Sequence, residues 1–210
     1  MLRSAAISRI QQGLGWRSDL TTPIVSALQE AQRELEGGQT LPWFLLQEDQ
    51  TFSATVANGG AVTLPTGFLK FHKDEGPQIT STDQGIKYLP HKPFDEAKVF
   101  YADTDDGEPQ AYTLRSTTVK FWPTPDATYS VTASYYKRGT LLDSDITNAW
   151  LTEAPELLIA RAGLIVAVDL ENEVSTKKFA AMFTKWQSWL MAEMADREEH
   201  TMERALGRNH

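Results

Sequence analysis

The feature that most constrains the fold is a run of mostly apolar residues in the C-terminal third, residues 148–170. Beyond Glu156 this run contains only two charged residues, Arg161 and Asp169. A membrane-spanning helix needs about 20 apolar residues, whereas residues 157–170 form a shorter run that includes Arg161. The sequence therefore predicts a buried helix, called here the spine, against which the other segments pack.

Two amphipathic helices are predicted at the N-terminus. Gly13 and Gly15 interrupt the first, and Pro23 in a first turn, after threonine caps, opens the second. The second helix stops at Gly37 and Gly38. Each helix has one apolar stripe: Leu2, Ala6, Ile10 and Leu14 in the first, and Ile24, Leu28, Ala31 and Leu35 in the second.

From Thr51 onward the hydrophobic period changes to two, which is typical of strands. Residues 51–56 and 61–64, joined by a turn at residues 58–60, predict a hairpin. Residues 93–100 predict a turn or two of helix. Further strands are predicted at residues 68–72, 78–82, 86–89, 110–115, 118–122 and 129–137.

A long final helix is predicted from residue 175 to about residue 205. Its first half carries a broad apolar stripe, whereas residues 197–210 contain few apolar side chains. This end is expected to project into solvent, fray, or become ordered on a partner. The stripe consists of Phe179, Met182, Phe183, Trp186, Trp189, Leu190 and Met194.

The order of these elements predicts an α+β fold, a bundle of about four helices with an inserted antiparallel β-rich sheet or small sandwich. The predicted domains are residues 1–46, the N-terminal helices; residues 47–142, the β-rich insertion; and residues 143–210, the C-terminal helices with an extended tail.

Composition argues against several classes of protein. The net charge is -8, and a nucleic-acid-binding surface requires clustered lysine and arginine. There are no cysteines, which excludes disulfides, thiolate metal sites and cysteine nucleophiles. The first 17 residues contain three arginines and no acid, as mitochondrial presequences do. The short amphipathic pattern favours a folded helix instead.

No catalytic motif is present in the sequence. The four histidines lack ligand-like spacing, and there is no nucleophile elbow or phosphate-binding loop. Asp103, Asp105 and Asp106 suggest a calcium loop. However, the glycine is one position early for an EF-hand, and Leu114 stands where the final glutamate is needed. A solvated turn is favoured, and no enzyme activity, cofactor or metal is predicted.

Two further features allow more than one interpretation. Aromatic residues on neighbouring strands suit a stacking platform for sugars or bases, but alternating strands also need large residues for the sheet core, which is favoured. Arg161 in the spine needs an acidic partner, for which residues 153–156 or another subunit are candidates. The aromatic residues are Phe121, Trp122, Tyr129, Tyr135 and Tyr136.

Several sequence segments, taken in their order along the chain, resemble those of the head-to-tail adaptor (connector) proteins of podovirus-type tailed bacteriophages. They are LPWFLL (residues 41–46), LPTGFLK (64–70), FWPTPDATYSVTASYYK (121–137) and TNAWLTEAPELLIARAG (147–163). None is a catalytic motif, and together they span most of the chain.

The resemblance implies a structural virion protein in the neck between capsid and tail, made in the host cytoplasm. It implies a homo-oligomeric ring of about twelve subunits that binds the portal protein and a tail or nozzle protein and lets DNA pass without sequence-specific binding. No membrane partner is expected. The candidate portal contacts are Arg197, Met202, Arg204, Leu206, Arg208 and His210, and the candidate structural anchors are Trp150, Leu151, Pro155, Leu158, Trp186 and Trp189.

Two alternatives remain open from the sequence. The first is a virion-associated carbohydrate-binding or hydrolytic β module on a helical stem, which needs exposed aromatic rings around Trp122 and two facing carboxylates. The second is a mitochondrial matrix scaffold, which rests only on the basic N-terminus.

Overall fold

The structure, a computed structural model, describes residues 1–73, 76–81 and 85–205, with side chains up to residue 197. The chain forms two compact units, a helical unit of Met1–Leu45 with the residues from Gly139 onward, and a β unit of Leu46–Arg138. The predicted α+β class is confirmed. None of the described helices is long and apolar enough to cross a membrane.

The helices are α1 (Arg3–Gly13), α2 (Thr21–Glu36), α3 (Phe94–Phe100), α4 (Ala149–Glu153), α5 (Pro155–Asp169) and α6 (Glu173–Ala205), with short 3-10 turns at Ser18–Leu20 and Trp43–Leu45. The strands are β1 (Leu46–Ala54), β2 (Ala61–Thr63), β3 (Phe68–Phe71), β4 (Gln78–Ser81), β5 (Gly85–Tyr88), β6 (Ala111–Arg115), β7 (Thr118–Trp122) and β8 (Tyr129–Lys137).

The spine is two helices rather than one. Asn148 caps α4, because its side-chain oxygen accepts a hydrogen bond from the Leu151 N–H at 3.0 Å. Ala154 then leaves helical geometry, and Pro155 occupies the start of α5, where its missing N–H is tolerated. Pro155 therefore divides the predicted single helix into two.

Helix α5 is the centre of the helical unit, and eight of its 15 residues are buried. It packs mainly against α6 and α2, with α1 alongside. The ring of Phe179 from α6 lies between Gly13 of α1 and Gly163 of α5, which have no side chain to keep it away. In α1 the buried side chains include Ala6 and Ile10, whereas Leu2, predicted to lie on the stripe, is half exposed.

The β unit contains two antiparallel sheets. The first has the order β1-β8-β4-β5, with β3 also paired to β8, and the second has the order β2-β7-β6. The predicted hairpin of β1 and β2 is wrong. Strand β1 pairs with β8 and β2 pairs with β7, so the turn at residues 58–60 carries the chain from one sheet to the other.

The two sheets share one apolar core, which makes the β unit a small sandwich. Phe121 and Tyr135 lie in this core, and Trp122 is buried in a neighbouring cluster with Tyr101. Most of the aromatic cluster that suggested a stacking platform is therefore sheet core, whereas Tyr129 and Tyr136 are only half-buried.

Candidate interaction surfaces

The acidic loop after α3 is a surface turn. Asp103, Asp105 and Asp106 are exposed. Glu108, at the end of the loop, instead accepts hydrogen bonds from Ser81 at 3.1 Å and Lys87 at 3.4 Å. Over the part of the chain that the structure describes, no group of three or more His, Asp or Glu side chains is placed to hold a metal ion.

An open groove of about 440 Å³ on the β unit is lined mainly by aromatic and basic side chains. Its described lining contains no carboxylate, so the facing acids that glycoside hydrolysis requires are not found there. Trp122 lies elsewhere, buried, with its ring N–H donating to Thr113 Oγ1 at 3.1 Å. These positions do not support the carbohydrate-active alternative. Six of the lining residues are Lys70, His72, Lys73, Tyr88, His91 and Tyr112.

A buried polar cluster joins α2 to the chain that leaves the β unit. Glu36 Oε1 accepts hydrogen bonds from the Gly139 N–H at 2.9 Å, the Trp150 ring N–H at 3.0 Å and the Gln32 amide at 2.9 Å. The Asn148 amide donates to Gln32 Oε1 at 3.1 Å. This cluster fixes the start of α4 on α2. The sequence pattern did not predict this cluster, although Gln32 and Glu36 continue the spacing of buried Leu28 at i+4 and i+8.

Arg161 pairs with Glu34 of α2, not with residues 153–156 of its own segment. Its Nε and Nη2 atoms donate to the two Glu34 carboxylate oxygens at 2.5 and 2.9 Å, and its guanidinium lies 5.6 Å from the Phe183 ring centre. The hydrogen bond from Arg161 lowers the pKa of Glu34 below its usual value and raises the pKa of Arg161. The pair ties α5 to α2 at the surface.

The apolar stripe of α6 is wider than the surface it covers within the helical unit. Phe179, Leu190 and Met194 are buried, but Trp189 remains 39% exposed. Trp186 is half-buried and packs edge-on against Trp189, with ring centres 5.8 Å apart. This half-exposed aromatic strip is a candidate contact surface.

The last described side chains of α6 contact the 3-10 turn before β1. The guanidinium of Arg197 lies 4.1 Å from the Trp43 ring centre, and its Nε donates to Glu193 at 2.9 Å. Trp43 packs edge-on against Phe44, and Phe44 against Trp150. Three aromatic side chains in successive contact, Trp150, Phe44 and Trp43, therefore connect the core of the helical unit to Arg197.

Comparison with known families identifies the chain. The model of the family described as SU10 adaptor protein matches residues 2–207. The chain belongs to this adaptor family. The match confirms the resemblance to phage head-to-tail adaptors, and it gives the adaptor a structural role in the virion. A search of curated proteins finds no match to the adaptor.

The candidate portal contacts of the adaptor fall into three groups. Arg197 is described and is already engaged by Trp43 and Glu193. Met202 and Arg204 belong to α6, but only their backbone is described. Leu206, Arg208 and His210 lie outside the described residues. Among the candidate anchors, Trp150, Leu151 and Leu158 are buried, Pro155 starts α5, and Trp186 and Trp189 form the half-exposed strip.

Proposed function

We propose that the adaptor assembles as a ring of about twelve subunits that binds the portal protein through its helical unit and a tail or nozzle protein through its β unit. DNA passes through this ring without being bound specifically. In this function the protein is a structural connection in the neck of the virion and carries out no chemical step.

The observation that carries the proposal is the length of α6. It has 33 residues, whereas α5, on which it packs, has 15. At about 1.5 Å per residue α6 is about 27 Å longer than its supporting helix. A helix end of this kind, low in apolar residues beyond Arg197, suits docking on a partner that supplies the missing contacts.

The β unit offers a surface suited to a second partner. Val99 and Phe100, at the end of α3, are 78% and 63% exposed. The exposed carboxylates of Asp103, Asp105 and Asp106 follow them directly. An apolar pair beside acids fits a partner with an apolar pocket bordered by basic residues.

The charge of the chain supports passage of DNA. The net charge is -8, so a ring of many copies is strongly negative overall. Like charge keeps DNA phosphates from binding to the wall of a channel. DNA can then slide through the ring instead of adhering to it.

The test uses a truncated adaptor that ends at Arg197, mixed with portal rings of the same phage. We expect its circular dichroism and thermal midpoint to stay close to those of the full chain, because the buried side chains Phe179, Leu190 and Met194 of α6 are all retained. We also expect it to stop co-sedimenting with portal rings. Negative-stain microscopy of the full-length mixture should show a collar on each portal.

A reciprocal control uses the β unit. Replacing Val99 and Phe100 with serine should leave portal binding intact and weaken attachment of the tail protein to preassembled portal–adaptor collars. A truncated adaptor that still binds the portal with full affinity contradicts the assigned docking end, and a full-length adaptor that never forms a collar contradicts the proposed function itself.

A further inference from the structure

A groove opens on the helical unit where α1 ends. Its volume is about 480 Å³, and buried Phe179 forms its floor. Trp16 and Met182 form apolar walls, and Arg9 and Lys178 supply cations. We call this site the Trp16 groove. Arg9 is ion-paired with Glu156, so Lys178 contributes the positive charge that is left among these lining residues.

Trp16 combines an exposed side chain with a constrained backbone. Its side chain is 70% exposed, and its backbone φ is 62°, in the left-handed region that favours glycine. Its backbone N–H donates to the Gln11 carbonyl at 2.7 Å, which fixes the backbone at Trp16 after the helix ends. A tryptophan presented to solvent on a constrained backbone has the chemistry of an interface hot spot.

The opposite end of α1 has complementary chemistry. Leu2 is 50% exposed, and Asp143 and Asp145, in the loop that bonds to the start of α1, are also exposed. The loop that carries the aspartates is fixed to α1, because Asp145 accepts a hydrogen bond from the Ser4 N–H at 2.8 Å and the Arg3 N–H donates to the Ile146 carbonyl at 3.0 Å. We call Leu2, Asp143 and Asp145 the Leu2 edge.

We infer that the Leu2 edge of one adaptor docks into the Trp16 groove of the next copy. The leucine packs between Trp16 and Met182 above Phe179, and Asp143 faces Lys178. A closed ring needs two different, complementary patches on each subunit. These two patches lie at opposite ends of the 11-residue helix α1, about 16 Å apart. The inference rests on the proposed ring and names the surfaces that form it.

Charge reversal tests this contact, with collars on portal rings counted by negative-stain microscopy. Lys178→Glu and Asp143→Lys should each reduce collar formation about tenfold or more, because each places like charges in contact. An equimolar mixture of the two variants should restore collars. In that mixture the reversed groove of one variant accepts the reversed edge of the other, and the subunits alternate around the ring. Lys177→Glu, the same reversal at the neighbouring position of α6, which does not line the groove, should have little effect.

A second variant separates assembly from folding. Trp16→Gly removes the ring and also relieves the left-handed backbone, so its thermal midpoint should not fall while collar formation is lost. Normal collars from either charge-reversal variant, or loss in both without rescue on mixing, would overturn the inference while leaving the proposed function standing. Absence of collars with the wild-type adaptor contradicts the proposed function instead.

Discussion

The ring of Phe179 lies against Gly163 so closely that a Cβ atom at position 163 would come within 2.6 Å of its Cδ1 and Cζ atoms. A Cβ atom at Gly13 would likewise come within 2.4 Å of Cζ, so close backbone on both α1 and α5 restricts the movement of the ring. Gly163→Ala should therefore lower the free energy of unfolding by about 1 to 3 kcal/mol, even though alanine favours a helix. Urea denaturation measures the change.

Two controls make the Gly163 result specific. Gly107→Ala, where no heavy atom lies within 4 Å of the new Cβ, should change stability by less than about 0.5 kcal/mol. In a Phe179→Leu background the cost of Gly163→Ala should shrink, because the smaller side chain leaves room for the methyl group. An equal cost in both backgrounds would show that the ring is not the cause.

The Glu36 cluster predicts a larger effect. Glu36→Leu removes the acceptor of the Gly139 N–H and the Trp150 ring N–H, both of which donate to Oε1. The free energy of unfolding should fall by about 2 to 5 kcal/mol, because buried donors without acceptors are costly. Thermal and urea unfolding report the loss. Glu30→Leu, on the exposed face of the same helix, should stay within about 0.5 kcal/mol of wild type.

The elements of the helical unit were predictable from local pattern, whereas its polar contacts were not. Ile24, Leu28 and Ala31 repeat at helical spacing and are buried, so α2 was found with nearly correct ends. Gln32 and Glu36 share the buried face but are polar, and hydrophobic periodicity excludes such residues from a core. Their burial depends on Gly139 and Trp150, more than 100 positions away.

The prediction that β1 and β2 pair was wrong for a similar reason. The turn at residues 58–60 was identified, but a local turn signal does not state which strands pair. Phe52 pairs with Val131, and Val62 pairs with Val119, so both partners come from the far end of the β unit. The partner of Arg161 was likewise sought among nearby acids, while Glu34 lies 127 positions away. The two candidate patches of the ring contact were missed because exposure is not encoded in residue type.

The Arg197–Trp43 contact predicts an indirect role for Arg197 in portal binding. The guanidinium of Arg197 lies over the Trp43 ring and holds this part of α6 against the 3-10 turn Trp43–Leu45. Arg197→Ala and Trp43→Leu should therefore weaken co-sedimentation with portal rings to a similar extent, and the double variant should be no weaker than either single one. A loss with Arg197→Ala alone would instead make Arg197 a direct portal contact.

The Arg161–Glu34 pair predicts a pH-dependent contribution to stability. Because the hydrogen bond from Arg161 lowers the pKa of Glu34 in the folded state below its usual value, the pair stabilises the fold at pH values above that usual pKa. The contribution is lost as pH falls through the lowered pKa. Glu34→Gln should thus cost about 0.5 to 1 kcal/mol at pH 7, and the difference from wild type should vanish in acid.

Urea denaturation of wild type and Glu34→Gln at a series of pH values measures this contribution. Glu30→Gln is the matched control, because Glu30 lies one turn earlier on α2 and adds only a coulombic effect on Arg161. Its cost should stay below about 0.3 kcal/mol at every pH, as expected for an exposed charge without a bidentate hydrogen bond. If Glu30→Gln and Glu34→Gln lower the free energy of unfolding equally, then the summed negative charge of α2, and not the Arg161–Glu34 hydrogen bonds, stabilises the contact between α5 and α2.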